Sequence, residues 1–271
     1  MKAEAAPGPL FFVKLGGSLI TDKQRRSTAR RGIIKQLATE LAEARAQASQ
    51  LRLVLGHGSG SFGHWEASHY GTHEGIYSAE AWQGFTRVSA AALQLDRLVL
   101  NAFIAAGVPV LSLQPLASAL ADAGALVSLE LGPIRRALAH GLVPLIFGDV
   151  AFDQKLGGTI VSTEELFAHL ATYLHPTWIL LLGNAPGVLD GEHQVIPTIT
   201  PETLPEVKEH LRSSAYTDVT GGMADKVEGM VELVEKLPEV RVRIMTGLTP
   251  GNLREALLDP EGISTGTLIH S

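Results

Sequence analysis

Six short apolar runs recur along the chain: Phe11–Leu15, Leu51–Leu55, Val108–Leu111, Leu142–Phe147, Thr177–Leu182 and Val240–Met245. Most are too short for a globular helix and too continuous for a strand with one wet face, so they predict strands buried on both sides. The last differs, because Arg241 and Arg243 alternate with its apolar residues and predict one wetter face. Between the runs lie amphipathic segments at Arg31–Gln47, Ala79–Ala106, Ile134–His140, Glu164–Leu174, Pro205–Ser213 and Lys226–Lys236. Strand and helix alternate, which predicts an α/β fold with a central, mostly parallel sheet between helical layers. Ala117–Leu131 and Phe152–Val161 are turn-rich and predict small hairpins at the carboxyl edge of the sheet, and Gly266–Ile269 predicts a last strand at a sheet edge. If the chain has two lobes, they divide as residues 1–150 and 151–271 of one continuous sheet.

With 271 residues, 45% of them hydrophobic, the chain is too apolar for disorder and long enough for one sizeable core or two packed lobes. A formal net charge of -6 argues against a nucleic-acid-coating surface while leaving room for a small basic pocket. The absence of cysteine excludes a disulfide framework, a thiolate nucleophile, a cysteine-ligated iron–sulfur centre and a zinc finger. The early apolar run stops at Lys14, short of a secretory core, and no run approaches a membrane span of about 18 apolar residues. The expectation is a soluble cytoplasmic protein with no membrane partner.

Candidate chemistry begins where the first strand ends. Val13-Lys14-Leu15-Gly16-Gly17-Ser18 puts two glycines after that strand, where backbone amides can converge on an anion. Lys14 before the turn and Lys23 beyond it could neutralise charge on a transferring phosphoryl group. A plain tight turn with a solvated Lys23 is the competing reading. Neither the GxxxxGK[ST] phosphate loop nor a GxGxxG dinucleotide fingerprint is present.

The second strand runs into Gly56-His57-Gly58-Ser59-Gly60-Ser61-Phe62-Gly63-His64, a glycine density that calls for positive φ or close ligand approach. It reads as a second anion nest, with His64 donating to a bound phosphate and His57 propping the loop. His64 could instead serve as a cap or a core hydrogen-bonder. His69 and His73 lack a third ligand at metal-site spacing, so a divalent ion is expected only with nucleotide phosphates. Along the next helix Trp82, Phe85, Val88, Ala92, Leu95 and Val99 form an uncharged stripe, which is core packing or, at Trp82 and Phe85, a sleeve for a hydrocarbon tail. Gly148-Asp149 puts a carboxylate at a strand end that can meet substrate, or only solvent. Asp218-Val219-Thr220-Gly221-Gly222-Met223-Ala224-Asp225-Lys226 sets a glycine turn before a helix whose amides and Lys226 could hold nucleotide phosphates, or simply form a capped helix.

In this order, the motifs KLGGS at Lys14–Ser18, HGSGSFGH at His57–His64, GD at Gly148–Asp149, DVTGGMADK at Asp218–Lys226 and GTLI near the end resemble the amino acid kinase superfamily. The early second lysine together with SFGH is most similar to its isopentenyl phosphate kinase branch. The resemblance implies an open αβα sandwich, transfer of the γ-phosphoryl of ATP to isopentenyl phosphate, magnesium carried with ATP, and a homodimer. It implies phosphoryl stabilisation by Lys14 and Lys23 and a grip on the acceptor phosphate by His64. Gly58, Gly60, Gly63, Trp82, Phe85, Gly148 and Asp149 would complete the acceptor site. Lys14, Gly16, Gly17, Ser18, Ser59, Asp218, Gly222 and Lys226 would serve the nucleotide. Three departures stand out: Gly183-Asn184-Ala185-Pro186-Gly187 replaces a TDVDG-like segment, Ser162-Thr163-Glu164 replaces an SGD-like one, and Ser59 takes a common glycine position.

Other readings remain open on the residues alone. The acceptor could be another small phosphate, phosphonate or carboxylate, as in fosfomycin kinases. Arg87 keeps amino-acid and acetylamino-acid kinases in view, and uridylate kinase is a further alternative. From another class, a non-catalytic nucleotide-binding sensor would retain the fold without turnover.

Overall fold

The computed structural model describes residues 8–72, 75–213 and 222–271. Strand β1 (Leu10–Leu15) leads through the short α1 (Gly17–Ile20) and a loop to α2 (Arg31–Gln47) and β2 (Arg52–His57). Helices α3 (Gly60–Tyr70) and α4 (Ala79–Ala105) precede β3 (Val110–Ser112), the hairpin β4 (Leu120–Asp122) and β5 (Ala125–Ser128), α5 (Gly132–Ala139) and β6 (Val143–Phe147). A second hairpin, β7 (Asp149–Asp153) and β8 (Gly157–Val161), runs into α6 (Thr163–Leu174) and β9 (Trp178–Gly183). The chain closes through β10 (Thr198–Ile199), α7 (Leu204–Ser213), α8 (Met223–Lys236), β11 (Arg241–Thr246), α9 (Asn252–Leu258) and β12 (Thr267–Ile269).

All six apolar runs are strands of one eight-stranded sheet in the order β10-β12-β11-β9-β1-β2-β6-β3. The six from β11 to β3 are parallel, while β12 runs antiparallel to β11 and carries β10 beside it. The closing strand is therefore not the sheet edge: the two residues of β10 cover it, a strand too short to show as a pattern. The two hairpins join through β4 and β7 into a second, four-stranded sheet. The 150/151 division falls inside β7, in the second hairpin.

Alternation along β1 separates the helical layers. Phe11, Val13 and Leu15 face a core shared with Ile34, Leu37 and Leu41 of α2, Leu95 and Phe103 of α4, and Leu253 of α9. Leu10 and Phe12 face the opposite core, with Leu166 and Phe167 of α6, Met230 and Val234 of α8, and Ile134 of α5. Each such side chain contributes about 1.5–3 kcal/mol by leaving water, so a strand buried on both faces is fixed in register. Helix α4 is long and apolar enough to span a bilayer by composition, but Phe85, Val88, Ala92, Leu95, Val99 and Phe103 bury its apolar side in the fold. Arg243 corrects the wet-face expectation for β11: it is buried, donates to the carbonyls of Thr265 and Pro260 at 3.1 and 3.3 Å, and lies over the Trp178 ring.

Candidate active site

Because β1, β2, β6, β9 and β11 are parallel, the turns after them share one edge of the sheet. The strand order reverses about β1, whose neighbours are β2 and β9, and a crevice at such a switch point is the usual ligand position in an open α/β sheet. The two glycine turns meet there, backbone against backbone. A Cβ on Gly17 would stand 2.6 Å from the Gly60 nitrogen and 2.7 Å from its Cα, and one on Gly58 would stand 3.0 Å from the Gly17 nitrogen. Gly16 donates to the Leu182 carbonyl at 2.7 Å, which seats the first turn on the end of β9.

The second turn is tighter than its glycine content suggests: after Ser59 the chain enters α3, so Gly60, Gly63 and His64 are helical. Gly60 takes φ +50, whereas Gly63 is needed for contact, since its Cβ would stand 2.5 Å from the Ser59 hydroxyl. Ser59, the noted departure, thus fills the space that Gly63 leaves, and it is the N-cap residue of α3 without a side-chain cap bond. His64 is half-buried on this helix, Lys23 is exposed on the loop after α1, and Ser18 lies half-buried in α1.

Lys14 shares the parity of Leu10 and Phe12, so it faces the layer of α6 and α8. There its ammonium group pairs with Glu164, and Lys226 of α8 reaches the same Glu164 oxygen at 3.9 Å. The sequence offered Glu164 only as a departure from an SGD-like segment; it joins the two lysines from opposite halves of the chain. Burial alone would raise the Glu164 carboxyl, but Lys14 and Lys226 outweigh it and hold the group below the usual carboxylate range. Local sequence explains its freedom to do so. Ser162 and Glu165 form a capping box, with bonds of 3.1 and 2.7 Å, which satisfies the start of α6 and leaves Glu164 to the lysines. Gly222 stands at the N-cap of α8 and brings no side chain to cover the first-turn amides above Lys226.

The other departures also find partners. The Thr163 hydroxyl donates to the His57 carbonyl at 2.7 Å, and its methyl fills the space beside Gly56, where a Cβ would stand 2.7 Å from it. Asn184 donates to the Ser18 carbonyl at 3.0 Å and accepts from Arg30 at 3.3 Å, tying the turn after β9 to the first glycine turn. His57 is fully buried, stacked on Phe147 and 3.4 Å from Asp96, which also accepts from Ser112 at 2.8 Å. It props the nest from below, and Asp96, adjacent to the apolar stripe of α4, is the partner that sequence reading missed.

Asp149 is not at a solvent-facing strand end. It is 1% exposed, accepts from Gln114 at 3.0 Å and from the Val150 amide at 2.8 Å, and burial pushes its carboxyl up despite those bonds. Gln114 also donates to Ser89 at 3.1 Å, and both line an open cavity of about 440 Å³ whose other walls include Trp82, Phe85, Thr86, Leu93, Leu116 and Phe152. Trp82, Phe85 and Phe152 pack with ring centroids 5.3–6.1 Å apart, and Trp82 leaves the buried stripe to stand at the cavity wall. Gly148 rests on the start of α6, where a Cβ would stand 3.5 Å from the Thr163 hydroxyl. Among the described residues no three His, Asp or Glu side chains gather as a metal site. Asp218 and His73 lie outside the described residues.

The arrangement offers two abutting glycine turns, the Lys14 and Lys226 ammonium groups to neutralise an anion, and an apolar groove walled by Trp82, Phe85 and Phe152. Residues 9–245 match the model of the amino acid kinase family. The chain is similar to the isopentenyl phosphate kinase of Methanothermobacter thermautotrophicus, with 32% identity covering 93% of this chain and 96% of the relative. It is 35% identical to that of Haloferax volcanii, covering 90% of this chain and 98% of the relative. A crystal structure of an isopentenyl phosphate kinase superposes with a TM-score of 0.80 at 28% identity, covering 96% of this chain and 99% of that one.

Proposed function

This chain belongs to the amino acid kinase family, in the branch of the isopentenyl phosphate kinases, and from that premise we propose that it transfers the γ-phosphoryl group of ATP to isopentenyl phosphate. The observation that carries the reading is the line Lys14–Glu164–Lys226 beside the abutting glycine turns. An oxygen of the acceptor phosphate forms the new P–O bond as the bond to the ADP oxygen breaks, giving isopentenyl diphosphate and ADP. That oxygen is already ionised, so the site needs positioning and positive charge more than a general base.

In this reading Lys226 and the start of α8 hold the β and γ phosphates, and Lys14, between the two halves, follows the phosphoryl group as it moves. Lys23 adds charge from the loop after α1, and His64 with the amides near Gly58 and Gly60 holds the acceptor phosphate. Glu164 keeps two ammonium groups together that would otherwise repel, which preorganises the site before the phosphates arrive. Its carboxylate is engaged by both lysines, so magnesium would come with the nucleotide phosphates and would supply further neutralisation of their charge. The alkenyl tail lies in the cavity walled by Trp82, Phe85 and Phe152. A cytoplasmic homodimer is part of the same proposal.

The test is a competition. Mg-ATP is supplied with equal concentrations of isopentenyl phosphate, dimethylallyl phosphate, geranyl phosphate, fosfomycin and acetylglutamate, and products are followed by mass. Isopentenyl diphosphate should dominate early product. Dominance of a phosphorylated fosfomycin or acetylglutamate, or ATP binding without transfer to any acceptor, would overturn the proposal.

A further inference from the structure

Three segments with phosphate-handling residues are separate in sequence: the Gly16-Gly17 turn, the loop bearing Lys23, and the helix bearing His64. Two small hydroxyl residues join all three. The Thr21 hydroxyl donates to the Gly17 carbonyl at 2.7 Å and accepts from the Ser61 amide at 2.9 Å. The Ser61 hydroxyl accepts from the Thr28 amide at 3.3 Å, and the Ser61 carbonyl accepts from the Ser27 amide at 3.2 Å. Thr21 is 0% and Ser61 2% exposed, so water cannot replace either set of bonds without opening the fold.

The loop between them is closed on itself by the Asp22 amide donating to Thr28 at 2.9 Å and by the bridge between Thr21 and Ala29. Lys23 therefore rides on a loop whose two ends both dock on Ser61, three residues before His64. A further contact with α3, the ion pair between Arg26 and Glu66, has a mostly exposed arginine and is worth little by comparison. Thr21 also explains Gly60, because a Cβ there would collide with the Thr21 hydroxyl. Ser27 keeps φ 48, an unfavoured conformation for a serine, while its amide is held by Ser61.

We propose that Thr21 and Ser61 are positioning residues for phosphoryl transfer, locking Lys23, His64 and the first glycine turn into one unit. This rests on the reading above, in which Lys23 and His64 act on the transferring and acceptor phosphates. A displacement near 1 Å at such groups lowers turnover by about a hundredfold. Thr21→Val keeps the shape and removes both hydroxyl bonds, while Thr21→Ser keeps them.

The test combines kinetics with amide hydrogen exchange on the full chain. Thr21→Val should lower kcat about 30- to 100-fold with the KM for ATP within about threefold, and Thr21→Ser should restore most of it. The loss caused by Lys23→Ala should shrink in the Thr21→Val background, because the lysine is already misplaced. Independently of turnover, exchange at the Thr28 amide should accelerate in Thr21→Val and in Ser61→Ala, which removes its acceptor and is the gentler variant if the valine unfolds the chain. Wild-type kcat in Thr21→Val, equal losses in the valine and serine variants, or unchanged exchange in Ser61→Ala would overturn the proposal. A wild-type chain that does not phosphorylate isopentenyl phosphate would overturn the functional reading instead, and the exchange result would still decide whether Thr21 and Ser61 lock the loop.

Discussion

Replacing Glu164 with glutamine keeps its volume and removes the charge that holds Lys14 and Lys226 together. At an effective dielectric constant of about 20, opposite charges about 4 Å apart attract by about 4 kcal/mol, and the Lys226 contact is 3.9 Å long. Breaking a buried pair from one side costs about 3–5 kcal/mol, and the side-chain exposures of 9% for Lys14, 20% for Glu164 and 30% for Lys226 reduce that through solvent screening. Glutamine also retains a carbonyl acceptor, so the expected net loss is about 2 kcal/mol. For a chain of this size that lowers Tm by about 4–8 °C.

The sign of the pH dependence follows from the depressed Glu164 pKa. Its stabilising contribution is present above the pKa of the unfolded chain, near 4.3, and is lost as pH falls through the lower folded value. The Tm gap between wild type and Glu164→Gln should thus be full at pH 7 and close in acid. Turnover should fall about 10- to 100-fold, because two unrestrained ammonium groups no longer share one position, while ATP still binds. The assays are thermal denaturation across pH and steady-state ADP release with isopentenyl phosphate. A variant with wild-type kcat and a Tm gap that persists unchanged into acid would refute the reasoning.

Gly17→Ala should leave the fold intact by circular dichroism while lowering kcat/KM at least about a hundredfold, because the new Cβ, 2.6 Å from the Gly60 nitrogen, must part the two turns. Trp82→Ala should raise the KM for isopentenyl phosphate about tenfold and leave that for ATP unchanged, as expected for loss of an apolar wall, and equal effects on both would count against the tail assignment. Asp153 accepts from the amides of Ala123, Gly124, Lys155 and Leu156 at 2.7–3.1 Å and joins the two hairpins. Burial raises its carboxyl, but these amides outweigh it and hold it below the usual range, so Asp153→Asn should cost about 1–3 kcal/mol in urea denaturation at pH 7. That difference should shrink as pH falls through the folded Asp153 pKa.

The main sheet was legible because parallel strands buried on both faces must be continuously apolar, and Phe11–Leu15 and Thr177–Leu182 are. Helix α3 was not, because Gly60 and Gly63 carry poor helix propensity and are there for contact with Thr21 and Ser59. Arg243 alternates with apolar residues as a wet-face residue would, yet backbone carbonyls of Pro260 and Thr265 accept from its two terminal nitrogens in the interior, a long-range provision that local pattern cannot show. The glycine turns were legible as sites of close backbone approach, which Gly17, Gly58 and Gly60 make. Glu164 was not singled out, although Ser162-x-x-Glu165 is a capping-box signature that sets it in the first turn of a helix, the position from which it meets Lys14. The burial of Asp149 was not legible, since its side-chain partner Gln114 lies 35 residues away in sequence.

The most direct test of the central claim is a single-turnover experiment with γ-labelled ATP, excess enzyme and isopentenyl phosphate, comparing wild type with Lys14→Ala. Label should appear in isopentenyl diphosphate with the wild type, and Lys14→Ala should slow this step at least about a hundredfold while still binding ATP. Label reaching isopentenyl diphosphate at the wild-type rate in Lys14→Ala, or never reaching it in the wild type, would contradict that claim.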